Sequence, residues 1–293
     1  MALRKVISRR RLLGAAGSLA ASFGVLRTRA QSADAPLRFA LTPVLLTSDL
    51  VMLEELKAYL AHAMGRPVHL VSRRTYQEIT ALLVTRQVDA AWICGYPFVA
   101  YREELALVAV PVWRGQPLYQ SYLVARASQK AESLSDLAGT VHAFSDPDSN
   151  SGYLVTCAAL AEMGQSPARF FRHFFYTYGH RNVVRAVATG LAAGGSVDGY
   201  VYDVLREAEP ALCADTRIVR KSELLAFPPI ACPAADAQSP AIVRLRQALI
   251  NMPRDPRGRA VLAMLRLDGF RDERPELFDG IANKMQLVRG VAP

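Results

Sequence analysis

The residues best suited to chemistry lie at positions 144–164, FSDPDSNSGYLVTCAALAEMG, where a strand end, a polar loop and a helix start follow one another. The first turn of a helix leaves backbone N–H groups without carbonyl partners, and the helix dipole adds positive potential there. Ser149, Asn150 and Ser151 add side-chain donors, and Gly152 permits close approach. These residues predict an oxyanion site. Because the same residue types are preferred as helix caps, capping is the alternative interpretation.

A hydrolytic triad is another interpretation of the polar residues, drawn from Ser151, His180 and Asp198. The sequence has no GxSxG turn to present a serine nucleophile, and helix capping already accounts for the serine. We therefore expect a binding protein and not an enzyme, with a Ser/His hydrolase as the minor alternative.

The four cysteines, Cys94, Cys157, Cys213 and Cys232, have neither CxxC nor metal-ligand spacing. We therefore expect no metal site and no cofactor. An oxidising compartment would permit a disulfide, and Cys213 with Cys232 is the pair to test because both lie near predicted strand ends. Free buried thiols are the alternative.

Residues 1–30 have the features of an export signal. The segment SRRRLL at residues 8–13 resembles the twin-arginine signature, a weakly apolar run follows through residue 26, and TRA at residues 28–30 offers a small-x-small cleavage site. The run is too short and too poor in large apolar side chains for a stable membrane span. We expect export to the periplasm by the twin-arginine route and no membrane span in the mature protein, with a retained signal anchor as the alternative.

The signal also explains most of the positive charge. Of the 35 Lys and Arg residues, seven lie in residues 1–30, which hold no acid, so the other 28 nearly balance the 26 Asp and Glu. No Lys/Arg run forms a basic stripe in the rest of the chain, and we expect no nucleic acid partner.

Strand and helix patterns alternate through the rest of the chain and then restart near residue 133. This alternation predicts an α/β fold with largely parallel sheets covered by helices. Two extended passages, residues 119–125 and 227–232, would join two lobes, one formed by residues 36–122 plus 228–293 and the other by residues 123–227. Ligands of open α/β sheets bind beyond the carboxyl ends of strands, where the polar loop lies. A cleft between the lobes is the expected binding site.

Six segments in this order resemble the periplasmic solute-binding proteins of ABC importers for phosphonate, phosphite and phosphate. They are LRFALTP, GRPVHLVSRRTYQEITALLVTRQVDAAW, YQSYLVARASQKAESLSDLAG, DPDSNSGYL, GHRNVVRAVATG and SVDGYVYD. The resemblance covers nearly the whole chain after the signal. It implies a bilobed type II periplasmic-binding fold that grips a small oxyanion by lobe closure, acts as a monomer and delivers the ligand to an importer's permease.

The resemblance also implies which residues bind the ligand. The family's Ser-Thr-Ser-Gly-Tyr loop is similar to SNSGY at residues 149–153, with Asn150 where Thr is usual, and the family's ligand-binding His is similar to His180. The family's aromatic and carboxylate positions that line the cleft are similar to Tyr76, Trp92, Asp198, Tyr200, Tyr202 and Asp203. Cys94 and Tyr96, from the segment AWICGYPF, complete the candidate set.

Two departures from the family pattern bear on which anion is bound. The Asn150 carbonyl would repel an anion unless its NH₂ end faces the ligand. Cys94 stands where the family usually has Gly, and a thiol suits thiophilic ligands better than phosphorus oxyanions. One branch of the family resembles arsenite sensors that use a cleft cysteine and report to a membrane histidine kinase. Such a sensor is the alternative to an importer component.

Overall fold

The computed structural model of the chain describes residues 35–42 and 50–290, and the predicted export signal lies outside the described residues. The strands are β1 (Leu37–Leu41), β2 (Val68–Ser72), β3 (Ala90–Trp92), β4 (Leu105–Val112), β5 (Leu118–Tyr119), β6 (Ser121–Arg126), β7 (Val141–Phe144), β8 (His173–Tyr176), β9 (Gly194–Asp198), β10 (Thr216–Lys221), β11 (Leu225–Ala226), β12 (Ile230–Pro233) and β13 (Gly269–Arg271).

The helices follow the strands in the alternation that the sequence predicts. They are α1 (Leu50–Met64), α2 (Tyr76–Val84), α3 (Gly95–Ala100), α4 (Val155–Glu162), α5 (Pro167–Phe170), α6 (His180–Ala188), α7 (Gly199–Ala208), α8 (Pro210–Cys213), α9 (Pro240–Asn251), α10 (Pro256–Leu265) and α11 (Asp279–Arg289). One π-helical turn, Asn150–Leu154, precedes α4. Within the described ranges, no helix is both long and apolar enough to cross a membrane.

The first sheet has the strand order β13-β4-β12-β3-β1-β2. In it β1 runs parallel to β2 and to β3, so the carboxyl ends of these three strands share one edge. The chain leaves β2 and β3 at that edge to enter α2 and α3. Local sequence fixes one of these entries, because Thr75 and Glu78 form a reciprocal capping box at the start of α2.

The second sheet has the order β10-β6-β9-β7-β8, with β7 parallel to both β8 and β9. The polar loop, the start of α6 and the start of α7 follow these parallel strands, so all three lie at one sheet edge. Phe144 anchors the end of β7, since its buried ring packs edge-on against Tyr153, Phe171 and Phe174.

A two-stranded antiparallel ribbon, β5 with β11, is separate from both sheets. Its strands come just before the two passages that the sequence identifies as crossings between lobes: β5 overlaps the first only at Tyr119, and β11 ends immediately before the second. The later parts of those passages belong to the sheets themselves, as β6 in the second sheet and β12 in the first.

The predicted α/β class is confirmed, but the prediction of largely parallel sheets is wrong. Both sheets are mixed, because β12 runs antiparallel to β3 and β4, and β6 runs antiparallel to β9 and β10. Of the two alternatives that the sequence leaves open for Cys213 and Cys232, a disulfide or free buried thiols, the structure has the second. Cys213 ends α8 while Cys232 lies in β12 of the first sheet, and both are buried free thiols.

Candidate functional site

The polar loop after β7 forms a buried helix start. Ser149, Asn150 and Ser151 are at most 1% exposed, and Gly152 is buried as well. Ser149 is the N-cap, and its Oγ accepts the Gly152 N–H at 2.9 Å. Capping therefore occurs here, and it uses one of the N–H groups of the turn. The Ser151 N–H has no hydrogen-bond partner among the described residues.

Gly152 is required by close packing. A Cβ at this position would lie 1.8 Å from Ser145 Oγ and 3.0 Å from His180 Cε1. The Gly152 carbonyl accepts the Ser145 N–H at 3.1 Å, which holds the loop against the end of β7. The glycine therefore brings the helix start and the His180 ring together.

Asn150 connects the turn to elements outside the second sheet. Its N–H donates to Cys94 Sγ at 3.2 Å, and its Nδ2 donates to the Tyr119 hydroxyl at 2.9 Å. Its Oδ1 is buried and has no hydrogen-bond partner within residues 35–42 and 50–290. Asn150 and Cys94, the two departures from the family pattern, are thus in contact.

His180 is a neutral relay and not a free donor. The Asp198 N–H donates to His180 Nδ1 at 3.1 Å, so the ring proton resides on Nε2, which lies 3.2 Å from the Tyr76 hydroxyl. Burial lowers the pKa of His180 to about 3, which keeps the ring uncharged. Because Tyr76 accepts the ring N–H, the Tyr76 O–H remains available as a donor.

Two carboxyl groups lie beside this relay. Asp146 accepts the Tyr76 N–H at 3.2 Å and the Asp148 N–H at 2.9 Å, and burial raises its pKa. Asp198 caps α7 by accepting the Val201 N–H at 3.1 Å. Burial raises the pKa of Asp198 to about 7, although backbone N–H groups at the helix start oppose the shift.

Cys94 is the N-cap of α3 and is 2% exposed. Burial raises the pKa of its thiol to about 12 despite hydrogen bonds from the N–H groups of Asn150 and Tyr96. The thiol is therefore protonated at neutral pH and has the character of a buried small side chain. Among the described residues, no group of three His, Cys, Asp or Glu could hold a metal ion.

Three residues that the sequence does not indicate, Tyr119, Ser121 and Asp146, contact predicted site residues. Tyr119 contacts Asn150, and the Ser121 hydroxyl donates to the Ser151 carbonyl at 2.6 Å. Tyr119 and Ser121 lie in the passage identified only as a crossing between lobes. Asp146 lies within residues 144–164, but its contact with Tyr76 spans 70 positions and has no local signal.

Several predicted site residues have their polar groups engaged elsewhere. The Trp92 ring N–H donates to the Pro228 carbonyl, and the Tyr200 hydroxyl donates to the Leu265 carbonyl. The Tyr202 hydroxyl bonds with the Thr216 hydroxyl. Asp203 accepts from Arg114 at 3.0 Å and from the Tyr122 hydroxyl at 3.2 Å. Tyr96, half-buried on α3, lies next to the group because its N–H contacts Cys94.

The structure thus brings together a buried polar group that we call the donor cluster. It consists of Tyr76, Cys94, Tyr119, Ser149, Asn150, Ser151, Gly152, His180 and Asp198. None of its side chains is Lys or Arg, and the neighbouring Arg181 forms an ion pair with Glu209. Such a cluster can hold a small oxyanion with neutral hydrogen-bond donors.

Comparison with known proteins gives matches along most of the chain. Residues 39–277 match the family of phosphonate ABC transporter periplasmic substrate-binding proteins. A binding protein component of an ABC phosphonate transporter from Pseudomonas aeruginosa superposes with a TM-score of 0.79 at 21% identity, covering 87% of each chain.

Two further solved structures have the same fold. PhnD1 from Prochlorococcus marinus, in complex with methylphosphonate, gives a TM-score of 0.76 at 14% identity, covering 86% of this chain and 98% of its own. A Xanthomonas citri protein bound to ATP gives 0.70 at 21% identity, covering 88% and 99%. These likenesses confirm the bilobed periplasmic-binding fold that the sequence predicts.

Proposed function

The chain belongs to the phosphonate ABC transporter periplasmic substrate-binding proteins, and on that premise we propose that it captures a small phosphonate-, phosphite- or phosphate-like oxyanion and delivers it to an importer. The observation that carries the proposal is the donor cluster. It draws neutral donors from the carboxyl edges of the parallel strands in both sheets and includes a helix start.

The donors match the needs of an oxyanion. An anion that leaves water must exchange its hydration for hydrogen bonds, or burial costs several kcal/mol. The Ser151 N–H and the hydroxyls of Ser151, Tyr76 and Tyr119 are the groups we assign to this exchange. His180 contributes indirectly, since its ring N–H orients the Tyr76 hydroxyl.

We assign capture to closure of two lobes, residues 36–122 plus 228–293 and residues 123–227. Contacts between elements of the two sheets, Asn150 with Cys94 and Asp146 with Tyr76, would form on closure. The closed, ligand-bound protein, acting as a monomer, would present the surface that an importer's permease reads. Export through the twin-arginine route is part of the same proposal, and the protein's absence from the periplasm of a strain without that translocase would support it.

We further propose that the protein is not an enzyme. His180 Nε2 contacts the Tyr76 hydroxyl, and Nδ1 accepts a backbone N–H, so neither ring nitrogen serves a serine. Turnover of ester or phosphoester substrates that disappears in Ser151→Ala would contradict this proposal.

Calorimetry tests the binding function. We expect methylphosphonate, phosphite or phosphate to bind, and Tyr76→Phe to weaken binding by roughly 10- to 100-fold because one donor to the anion is lost. Tyr59→Phe is the matched control, since its buried hydroxyl donates to the Ala248 carbonyl outside the donor cluster. No binding of any phosphorus oxyanion, or equal affinities for the two variants, would contradict the proposal.

A further inference from the structure

One acceptor in the donor cluster has nothing to accept from. Asn150 Oδ1 is fully buried and has no hydrogen-bond partner in the part of the chain that the structure describes, while the other groups of the residue are engaged, N–H with Cys94 and Nδ2 with Tyr119. A buried carbonyl that loses water and gains no donor is unfavourable. A ligand that places a hydrogen-bond donor beside Asn150 Oδ1 would therefore be favoured.

The charges around the cluster favour a ligand with a single negative charge. No Lys or Arg belongs to the donor cluster, whereas it includes the buried carboxyl group of Asp198, and a second buried carboxyl group, Asp146, lies beside it. A dianion would face like charges without a compensating cation. A monoanion that keeps one proton meets less repulsion and also supplies the missing donor.

We propose, on the basis of the proposed function, that the site selects oxyanions that keep an ionisable hydroxyl, bound as monoanions whose P–O–H group donates to Asn150 Oδ1. The remaining ligand oxygens then accept from the Ser151 N–H and the tyrosine hydroxyls. Sulfonates of the same shape are fully ionised at neutral pH and have no proton to donate, so the site should reject them.

The ionisation of the protein groups that face Asn150 must be distinguished from the ionisation of the ligand. Burial keeps Tyr76, Tyr119 and Cys94 protonated by raising the pKa of each, and it lowers the pKa of His180 to about 3. Asp146 and Asp198 are the acids, and the raised pKa of Asp198, about 7, falls in the working range. A pH profile with one ligand would therefore mix ligand and Asp198 titration.

Isosteric ligands separate the effect of the ligand's own proton from the titration of Asp198. We expect calorimetry at one pH to show methylphosphonate binding at least about 100-fold more tightly than methanesulfonate, because a buried polar group built to bond a ligand hydroxyl rejects an analogue without it. Equal affinities would overturn the inference and leave the proposed function standing. If neither compound nor phosphite or phosphate binds, the proposed function itself fails.

A second phosphonate tests the proton directly. The affinity for methylphosphonate should fall as the ligand loses its second proton, and fluorination of the methyl group moves that ionisation to lower pH. We expect the midpoint of the affinity loss to move down with it. A midpoint that stays fixed for both ligands would assign the effect to the protein and overturn the inference.

Variants of Asn150 link the selectivity to its carbonyl. Asn150→Thr and Asn150→Ser place a hydroxyl that both donates and accepts, so we expect the preference for methylphosphonate over methanesulfonate to shrink by roughly 10-fold or more. Asn283→Thr, an exposed Asn of α11, is the matched control and should keep the full preference. An unchanged preference in folded Asn150 variants would overturn the inference, and the two ligand comparisons decide it independently if neither variant folds.

Discussion

His180 illustrates how a single buried side chain sets a pH dependence. In the unfolded chain an ordinary histidine binds a proton below its usual pKa of 6.5, whereas burial lowers the pKa in the folded protein to about 3. Between these values the unfolded state holds more protons, so stability falls as the pH falls, by about 1.4 kcal/mol per pH unit for one proton. His142, buried with a pKa lowered to about 3, adds to the same trend, while Asp198, with its raised pKa, opposes it.

His180→Asn should remove one proton from this dependence. The Asn Oδ1 can still accept the Asp198 N–H, and the variant has no imidazole to protonate. We expect the slope of unfolding free energy against pH, measured by urea denaturation between about pH 4 and 6, to fall by roughly 1.4 kcal/mol per unit. A slope identical to wild type in His180→Asn would show that His180 is not held neutral in the folded protein.

Gly152 carries a steric prediction at the same scale. The Cβ of Gly152→Ala would overlap Ser145 Oγ, so the loop must move. We expect a loss of about 1–3 kcal/mol in unfolding free energy together with weaker ligand binding. Gly290→Ala meets only ordinary contacts and should stay within about 0.5 kcal/mol of wild type. Adding Ser145→Gly should restore part of the loss, and no recovery in the double variant would rule out this clash as the cause.

At the scale of elements, Asp146 acts as a cap across the two sheets. It follows β7 in the second sheet, yet its Oδ2 accepts the N–H of Tyr76 at the start of α2, and its Oδ1 accepts the Asp148 N–H. Asn has one acceptor oxygen in place of two, so its NH₂ group would face an N–H donor. The start of α2 would then lose the partner that ties it to the polar loop.

Hydrogen exchange on Asp146→Asn measures that tie. We expect the Tyr76 amide to exchange faster and the unfolding free energy to drop by about 1–2 kcal/mol. Asp272→Asn, an exposed Asp of similar chemistry, should alter neither quantity. Unchanged exchange at Tyr76 would mean that the Asp146 contact does not stabilise the start of α2.

Local signals explain which elements could be predicted from the sequence. The capping residues Thr75 and Asp198 mark the starts of α2 and α7. The aromatic segment FRHFFYTYG hides β8, because its aromatic residues do not alternate with polar ones. The three-residue β13 is too short to leave a pattern. Strand direction depends on pairing between distant segments, and this is why the mixed sheets were not predicted.

The predicted site residues fall into two groups, those that the structure brings together and those whose polar groups bond elsewhere. Ser149–Gly152 and His180 lie in motifs that the resemblance identifies, and the structure brings them together. Trp92, Tyr202 and Asp203 also lie in segments that carry the resemblance, but their polar groups bond to residues outside the donor cluster. The partners of Trp92 and Asp203, Pro228 and Tyr122, come from remote parts of the chain, and no local pattern reports such contacts.

At the scale of the whole molecule, opening of the cleft should expose Cys94 without unfolding either sheet. Its thiol is buried against Asn150, whereas Cys232 is buried inside the first sheet on β12. Separation of the lobes would break the Asn150–Cys94 contact and leave the surroundings of Cys232 intact. Thiol labelling of variants that keep only one of these two cysteines therefore distinguishes opening from global unfolding.

We expect the Cys94-only variant to react with a thiol reagent faster than the Cys232-only variant, with a weaker dependence on urea, because opening exposes less surface than unfolding. Methylphosphonate should slow Cys94 labelling by about 100-fold at 100 times its dissociation constant, since bound ligand holds the lobes closed. If the labelling rate of Cys94 depends on urea concentration as steeply as that of Cys232, the two lobes do not separate in the folded protein. Capture of the ligand would then require a route into the donor cluster other than lobe closure.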